Sequence, residues 1–261
     1  MSRGLFFCGS IVMVSPTICG VVFVGLVLLG LAGRVVAGRD PASAETPAIE
    51  AASADVPAQS KIAADAIEWH SLFDGKNLGG WKSTAFGGEG EVTVEEGSIQ
   101  IAMGSDMSGI TWTEKVPRQH YEISLDAQRV EGTDFFCGLT FPVGDDPCSF
   151  IVGGWGGGVI GLSTIDGQDA ANNGTTQFRE FKRGRWYAVR VRVSPERIEC
   201  FLDDERVVDQ LLIDRILSIR DEVIPSKPLG VATYATTARL KNIRWRHLAR
   251  PSEQAKEGQT D

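Results

Sequence analysis

Trp155 stands in the run Gly153-Gly154-Trp155-Gly156-Gly157-Gly158, where every other residue is glycine. Glycines let backbone bend sharply or come close to a ligand, and an indole without bulky chain neighbours can lie on the apolar face of a sugar ring. The competing role is mechanical: the glycines form bulges and Trp155 caps the core. A few residues later, Asp166-Gly167-Gln168-Asp169-Ala170-Ala171-Asn172-Asn173-Gly174 gathers oxygen-bearing side chains in one loop. Asp166 and Asp169 are candidate ligands for Ca²⁺, a hard cation that takes about 6–8 oxygens. Asn172 and Asn173 are candidates for hydrogen bonds to the hydroxyls of a carbohydrate. The spacing differs from the helix-loop-helix calcium motif, so a plain solvated loop is the alternative. The glycine run is no phosphate loop, because the Gly-Lys-Ser/Thr ending is missing.

Ordinary glycoside hydrolysis needs two carboxyl groups about 5–5.5 Å apart, or about 6.5–9.5 Å apart when a water sits between them. Glu122 and Asp126 share one strand face, but four steps of ~3.3–3.4 Å set them roughly 13 Å apart. A working pair would have to come from different strands, with Asp134, Asp145, Asp146, Asp166, Asp169 and Glu180 as the pool. The three histidines, His70, His120 and His247, are scattered and show no zinc spacing. No Gly-x-Ser-x-Gly elbow is present to suggest a serine nucleophile. Cys137 and Cys148 could staple a hairpin in an oxidising compartment; the alternative is that they and Cys200 are small buried apolar groups.

The elements that must position these groups read as strands. Tyr187, Val189, Val191 and Val193 alternate with Ala188, Arg190 and Arg192, and Tyr121, Ile123, Leu125 and Ala127 alternate with Glu122, Ser124, Asp126 and Gln128. This period of two places one face on a core and the other in water. Ile198, Cys200 and Leu202 continue the series, with Asp203-Asp204 as a tight connection to the next strand. Leu212, Ile216 and Ile219 have roughly helical spacing and predict a short helix within 211–224. Many short strands without intervening helices exclude a doubly wound α/β fold and point to two packed antiparallel sheets.

Residues 4 to 33 carry no charge, a stretch long enough for a bilayer-spanning helix. Residues 1–37 therefore read as a signal peptide or as an uncleaved membrane anchor, and both stay open. Either predicts an exported protein, periplasmic or held at the cell envelope, with the membrane as a partner if the segment is retained. Residues 38–68 are rich in Ala, Pro and acids and read as a linker. Residues 69–248 form the domain, and 249–261 a polar tail. The net charge is −8, which offers no general attraction for phosphates, so no nucleic-acid partner is expected.

Two further segments carry a family resemblance. Leu72-Phe73-Asp74-Gly75-Lys76-Asn77-Leu78-Gly79-Gly80-Trp81-Lys82 opens the domain, and Pro228-Leu229-Gly230-Val231 with Leu240-Lys241-Asn242-Ile243-Arg244 closes it. In order and spacing they resemble the bacterial 3-keto-disaccharide hydrolase domain family from Trp69 to Leu248. The resemblance implies an all-β, concanavalin A-like jelly-roll sandwich and hydrolysis of sugars oxidised at carbon 3. The family's usual Asn-Ser-Gly strand reads here as Gly132-Thr133-Asp134-Phe135-Phe136-Cys137-Gly138, so no role is carried over from it. A ketone at carbon 3 acidifies the proton on carbon 2. A base could remove that proton, the carbon-1 substituent could leave, and water could add back. Asp134 is the candidate base, Arg179 the candidate stabiliser of the enolate, and Glu180 a further catalytic carboxylate. The alternative is a noncatalytic carbohydrate-binding sandwich or an envelope interaction module. The opening motif is expected to be mainly mechanical, an Asp-Gly turn pinned by Phe73, Leu78 and Trp81.

Overall fold

The computed structural model describes residues 68–248. The expected leader, the linker up to residue 67 and the tail lie outside them. The first strands are β1 (His70–Ser71), β2 (Trp81–Ser83), β3 (Val92–Glu95), β4 (Ser98–Ile101), β5 (Met107–Trp112), β6 (Tyr121–Gly132), β7 (Cys137–Val143) and β8 (Asp146–Gly154). There follow β9 (Val159–Ser163), β10 (Gln177–Phe178), β11 (Trp186–Val193), β12 (Arg197–Leu202), β13 (Glu205–Leu211), a 3₁₀ helix (Asp221–Ser226), β14 (Gly230–Tyr234) and β15 (Thr236–His247).

The strands form two antiparallel sheets. One runs β13-β12-β11-β6-β15-β4-β3, with β1 also on β15; the other runs β10-β9-β8-β7-β14-β5-β2. This is the two-layer sandwich that the alternation and the resemblance both implied. Tyr187, Val189, Val191 and Val193 are buried, paired in register with Ala127, Leu125, Ile123 and Tyr121 on β6. Leu139, Phe141, Phe150 and Val152 face them from the other sheet as part of the same core. Each large aliphatic or aromatic side chain so buried stabilises the fold by about 1.5–3 kcal/mol relative to exposure. A second set of rings, Phe136, Phe181 and Tyr187, closes the core at one end through edge contacts 5.1–5.2 Å between centroids.

Local chemistry sets the turns. Asp203 and Asp204 both have positive φ, 50° and 65°, as a two-residue hairpin turn matched to strand twist requires. Asn242 takes φ 53° at a break in the register of β15, and its amide donates to Asp126 Oδ2 at 2.6 Å. In the opening motif, Asp74 Oδ1 accepts the backbone N–H of Lys76 and Asn77 at 2.8 and 3.0 Å, while Trp81 Nε1 donates to the Leu72 carbonyl at 2.9 Å. Phe73 and Trp81 are buried, so this motif anchors the start of the sandwich as expected.

The outer face of the eight-stranded sheet holds a carboxylate that the alternation alone assigned to solvent. Glu122 is 0 % exposed. It bonds Arg190 at 3.3 Å, Arg192 at 2.8 Å and Arg246 at 2.9 Å. Arg190 also lies over the Phe201 ring, and Arg246 over Trp69, at 3.9 and 4.5 Å from the centroids. Long side chains laid flat therefore roof this face and exclude water from Glu122.

Two expectations change. The segment 211–224 is not an amphipathic helix: Ile213 and Ile216 are 75 % and 72 % exposed, Leu217 is the buried residue, and the helix is a 3₁₀ turn starting at Asp221. Cys137 and Cys148 form no disulfide. They face Val152 and Phe141, four steps apart along the hairpin, roughly 13 Å and beyond the ~7 Å between Cα atoms that a disulfide spans. Burial instead pushes each of these two thiols up to about 12 and the Cys200 thiol well above its usual value.

Because raised values keep these thiols protonated near neutrality, Cys137, Cys148 and Cys200 should resist a small disulfide reagent at pH 8 and react together in urea. Reaction of any of them in the folded state would contradict this packing. Glu122→Ala should lower the unfolding free energy by about 2–4 kcal/mol in urea titrations, since it leaves three convergent guanidinium groups without their shared partner.

Candidate functional site

Strand register builds the floor of the main cavity. On the outer face of the seven-stranded sheet, Ser163, Ser149, Thr140, Gly230 and Thr111 fall in one row across β9, β8, β7, β14 and β5. The next row reads Gly161, Ile151, Gly138, Ala232 and Gly109. Small residues there let rings lie directly on backbone. A Cβ at Gly138 would stand 3.1 Å from Phe135 Cε2, and one at Gly109 would stand 3.1 Å from Phe86 Cε2. Between these rings is a cavity of about 650 Å³. Its floor is Ser149, Ile151 and Ser163; Phe86 and Asp106 form one wall, Asp134, Phe135 and Tyr234 another, and Trp155, Arg220 and Glu222 complete the rim.

Trp155 is aimed by the backbone around it. Gly153, at φ 79°, sits at a register shift between β8 and β9, and a Cβ there would meet Arg129 Nη2 at 2.6 Å. Trp155 itself has φ 48° and is 42 % exposed. A bulky side chain in this region of backbone space is strained, at a cost of order 1–3 kcal/mol, and persists only where its surroundings hold it. Two groups do so. Asp134 Oδ2 accepts the Gly156 N–H at 2.8 Å, with Oδ1 accepting the Phe135 N–H at 2.8 Å. Arg129, 6 % exposed, donates through Nη2 to the carbonyls of Asp134, Gly153 and Gly157 at 3.0–3.1 Å. Its guanidinium lies 5.1 Å from the Phe136 ring centroid, and burial lowers its pKa from the usual value.

The opposite rim is an ion-paired chain. Arg220 contacts Glu222 at 2.8 Å and Asp169 at 3.3 Å. The hydrogen bond from Arg220 holds the Glu222 carboxyl below its usual range, and the same bond raises the guanidinium. At the floor, Ser163 is 2 % exposed, and its hydroxyl has no hydrogen-bond partner among the described residues.

The structure brings Asp134 and Trp155 together at this cavity and leaves the other sequence candidates outside it. Arg179 pairs with Glu205 at 2.8 Å beyond β10, and Glu180 is exposed on the same stretch. Neither lines the cavity. Asp134 is committed by both oxygens to backbone N–H groups, a loop-fixing arrangement. Asp166 and Asp169 do not converge as cation ligands. Asp166 accepts the Ile216 N–H at 2.9 Å and pairs with Arg215 at 2.7 Å, which together lower its pKa. Asp169 accepts from Ala171, Asn172 and Arg220. Among the described residues no group of three or more His, Cys, Asp or Glu side chains is placed to hold a metal. Asn173 is a loop organiser: its Nδ2 donates to the carbonyls of Leu162, Gln168 and Asp169, and its Oδ1 accepts from Thr175. Asn172 is exposed and donates to Asp169 at 2.7 Å. The groups that sequence reasoning missed are Arg129, Asp106, Ser163, Arg220 and Glu222.

A two-layer antiparallel sandwich with a tryptophan-edged cavity on one sheet face is the class that fold and site define. The chain belongs to the 3-keto-alpha-glucoside-1,2-lyase-like domain family, whose family model matches residues 68–246. Among curated proteins none matches the sequence. Similar solved structures include the carbohydrate-binding module CBM66 from Bacillus subtilis, at 14% identity and TM-score 0.45 over 64% of this chain and 95% of that one. Another is the Crh5 transglycosylase in complex with NAG, at 12% identity and TM-score 0.49 over 71% and 86% of the two chains. A third is the Emp46p carbohydrate recognition domain, at 10% and 0.49 over 70% and 100%.

Arg129→Met should cost about 2–4 kcal/mol in urea unfolding, because three carbonyls lose a charged donor inside the protein. Arg129→Lys should restore only part of it, since a single ammonium does not reproduce the planar spread of the guanidinium. A neutral outcome for Arg129→Met would show that the glycine loop holds its own shape.

Proposed function

We propose that the cavity on the seven-stranded sheet binds and cleaves 3-keto-α-glucosides. The observation that carries this reading is the meeting of an exposed tryptophan, the carboxylates of Asp106, Asp134 and Glu222 and the Arg220 guanidinium around one cavity, in a domain of the family just named. The space is in the range of about 300–1,000 Å³ usual for small-ligand sites. Trp155 supplies a flat apolar surface for a ring face, and the acids and Arg220 supply polar partners for its edge.

The chemistry follows from the ketone. A base takes the carbon-2 proton, and the C–H electron pair becomes the enolate, with its charge on the carbon-3 oxygen. The enolate then collapses to a carbon-1–carbon-2 double bond as the bond from carbon 1 to the leaving oxygen breaks, and that oxygen takes up a proton. Water adding across the double bond gives the free 3-keto sugar. Asp106 and Glu222 are the carboxylates suited to the base, and Arg220 is the group suited to the enolate oxygen. Asp134 serves by fixing Gly156 beside Trp155. A second reading, binding without cleavage, is favoured by the Arg220–Glu222 pair, which weakens Glu222 as a base and occupies part of Arg220.

Incubation of the protein with 3-keto-trehalose and with trehalose separates these. Release of monosaccharide from the keto sugar alone is the expected result, with Asp106→Asn or Glu222→Gln lowering kcat by roughly 10²–10⁴-fold and Trp155→Ala acting mainly on KM. Equal cleavage of both sugars would refute the role of the ketone. Saturable binding of the keto sugar without product would establish the second reading.

A further inference from the structure

Seven buried side-chain polar atoms lack a hydrogen-bond partner among the described residues. Only one of them, Ser163 Oγ, belongs to a residue that lines the cavity described above. Its neighbours are satisfied. Ser149 Oγ, beside it in the same row, pairs with Thr140 Oγ1 at 2.8 Å. At the far end of the row Thr111 Oγ1 pairs with Thr84 Oγ1 at 2.7 Å. Thr164, the next residue along the chain, pairs with the Ser218 hydroxyl. Burying a hydroxyl without a partner destabilises a protein, so such a group calls for an account in terms of what it binds.

We infer, resting on the carbohydrate reading, that Ser163 is a specificity-determining residue whose hydroxyl, covered in the unliganded protein, turns to pair with one oxygen substituent of the bound sugar at the cavity floor. The alternation of β9 supports its direction: Ile160 and Leu162 enter the core, so Ser163 stands on the opposite face, with Ser149. A hydroxyl both donates and accepts, so it suits an uncharged hydroxyl or carbonyl oxygen. Anionic sugars are disfavoured, because the cavity carries Asp106, Asp134 and Glu222 while its Arg220 is already paired twice. With a ring face against Trp155, an edge substituent would point down to Ser163. A ligand lacking that oxygen would leave the hydroxyl as unpaired as in the free protein and forfeit one hydrogen bond.

The test uses the full chain, with methyl 3-keto-α-glucoside and its monodeoxy analogues as probes. It compares Ser163→Ala and Trp155→Ala by titration calorimetry and thermal melting. Without sugar, Ser163→Ala should melt at the same temperature as the parent protein or higher, because an unpaired buried hydroxyl is removed. Its affinity for the parent sugar should fall by roughly 10- to 100-fold, and one deoxy analogue should bind the parent protein and Ser163→Ala equally. A lower melting temperature for Ser163→Ala would overturn the inference whatever the affinity, since the hydroxyl would then have an internal partner. Loss of affinity in Trp155→Ala but not in Ser163→Ala would overturn it while leaving the carbohydrate reading in place. Absence of binding by the parent protein would remove the carbohydrate reading and this inference with it, and binding indifferent to both substitutions would overturn this inference and place the sugar away from this cavity.

Discussion

One guanidinium joins the two layers of the sandwich where the cavity opens. Arg129 springs from β6 of the eight-stranded sheet and reaches carbonyls that belong to the other sheet and its loops. Those carbonyls point inward because the glycine run turns the backbone over, and inward-facing carbonyls need donors. A neutral or shorter side chain at this position could not serve Asp134, Gly153 and Gly157 together. Together with the Asp134 carboxylate on the Gly156 amide, that connection holds the Trp155 side of the cavity rim. The charge is partly offset by the faces of Phe136 and Phe181, which lie 5.1 and 6.0 Å from it.

The two outer faces of the sandwich answer the same architecture in opposite ways. On the eight-stranded sheet, arginines fold down over aromatic rings and seal Glu122 away from water. On the seven-stranded sheet, glycine, alanine and serine keep the strand surface low, and the walls come from loops instead. A cavity of about 650 Å³ results on one side, and on the other a smaller polar one of about 370 Å³ among the arginines. Shape here is decided by side-chain volume at the outward positions, since both sheets share the same pleat.

Much of the scaffold was legible because β-alternation is a local signal. Tyr187 to Val193 and Tyr121 to Ala127 announce their buried faces within a few residues, and the Asp203-Asp204 turn carries its own chemistry. The site was legible only in pieces. Asp134 and Trp155 stood out as a carboxylate and an indole in unusual contexts, and both reach the cavity. Asp106, Ser163, Arg220 and Glu222 come from segments far apart in the chain, and only strand order brings them together. Arg179 and Glu180, read as enolate stabiliser and further carboxylate, lie beyond β10 and do not line the cavity. The carboxylates of the acidic loop, read as candidate cation ligands, are bonded to Arg215 and Arg220, which lie 49 and 51 residues away and gave no local sign of it. Arg129 did leave a trace. It occupies an inward position in the series Tyr121, Ile123, Leu125, Ala127, and a charge in that phase of a strand signals a buried polar task.

The left-handed backbone at Trp155 has a consequence for how a ligand would be met. The root of the indole is set by main-chain geometry and by the anchored amide of Gly156. It therefore stands ready before anything arrives. Since the ring has only two rotatable bonds and a fixed root, little conformational freedom is left for association to remove. Strain stored in one residue of the folded chain thus becomes rigidity at the point of encounter.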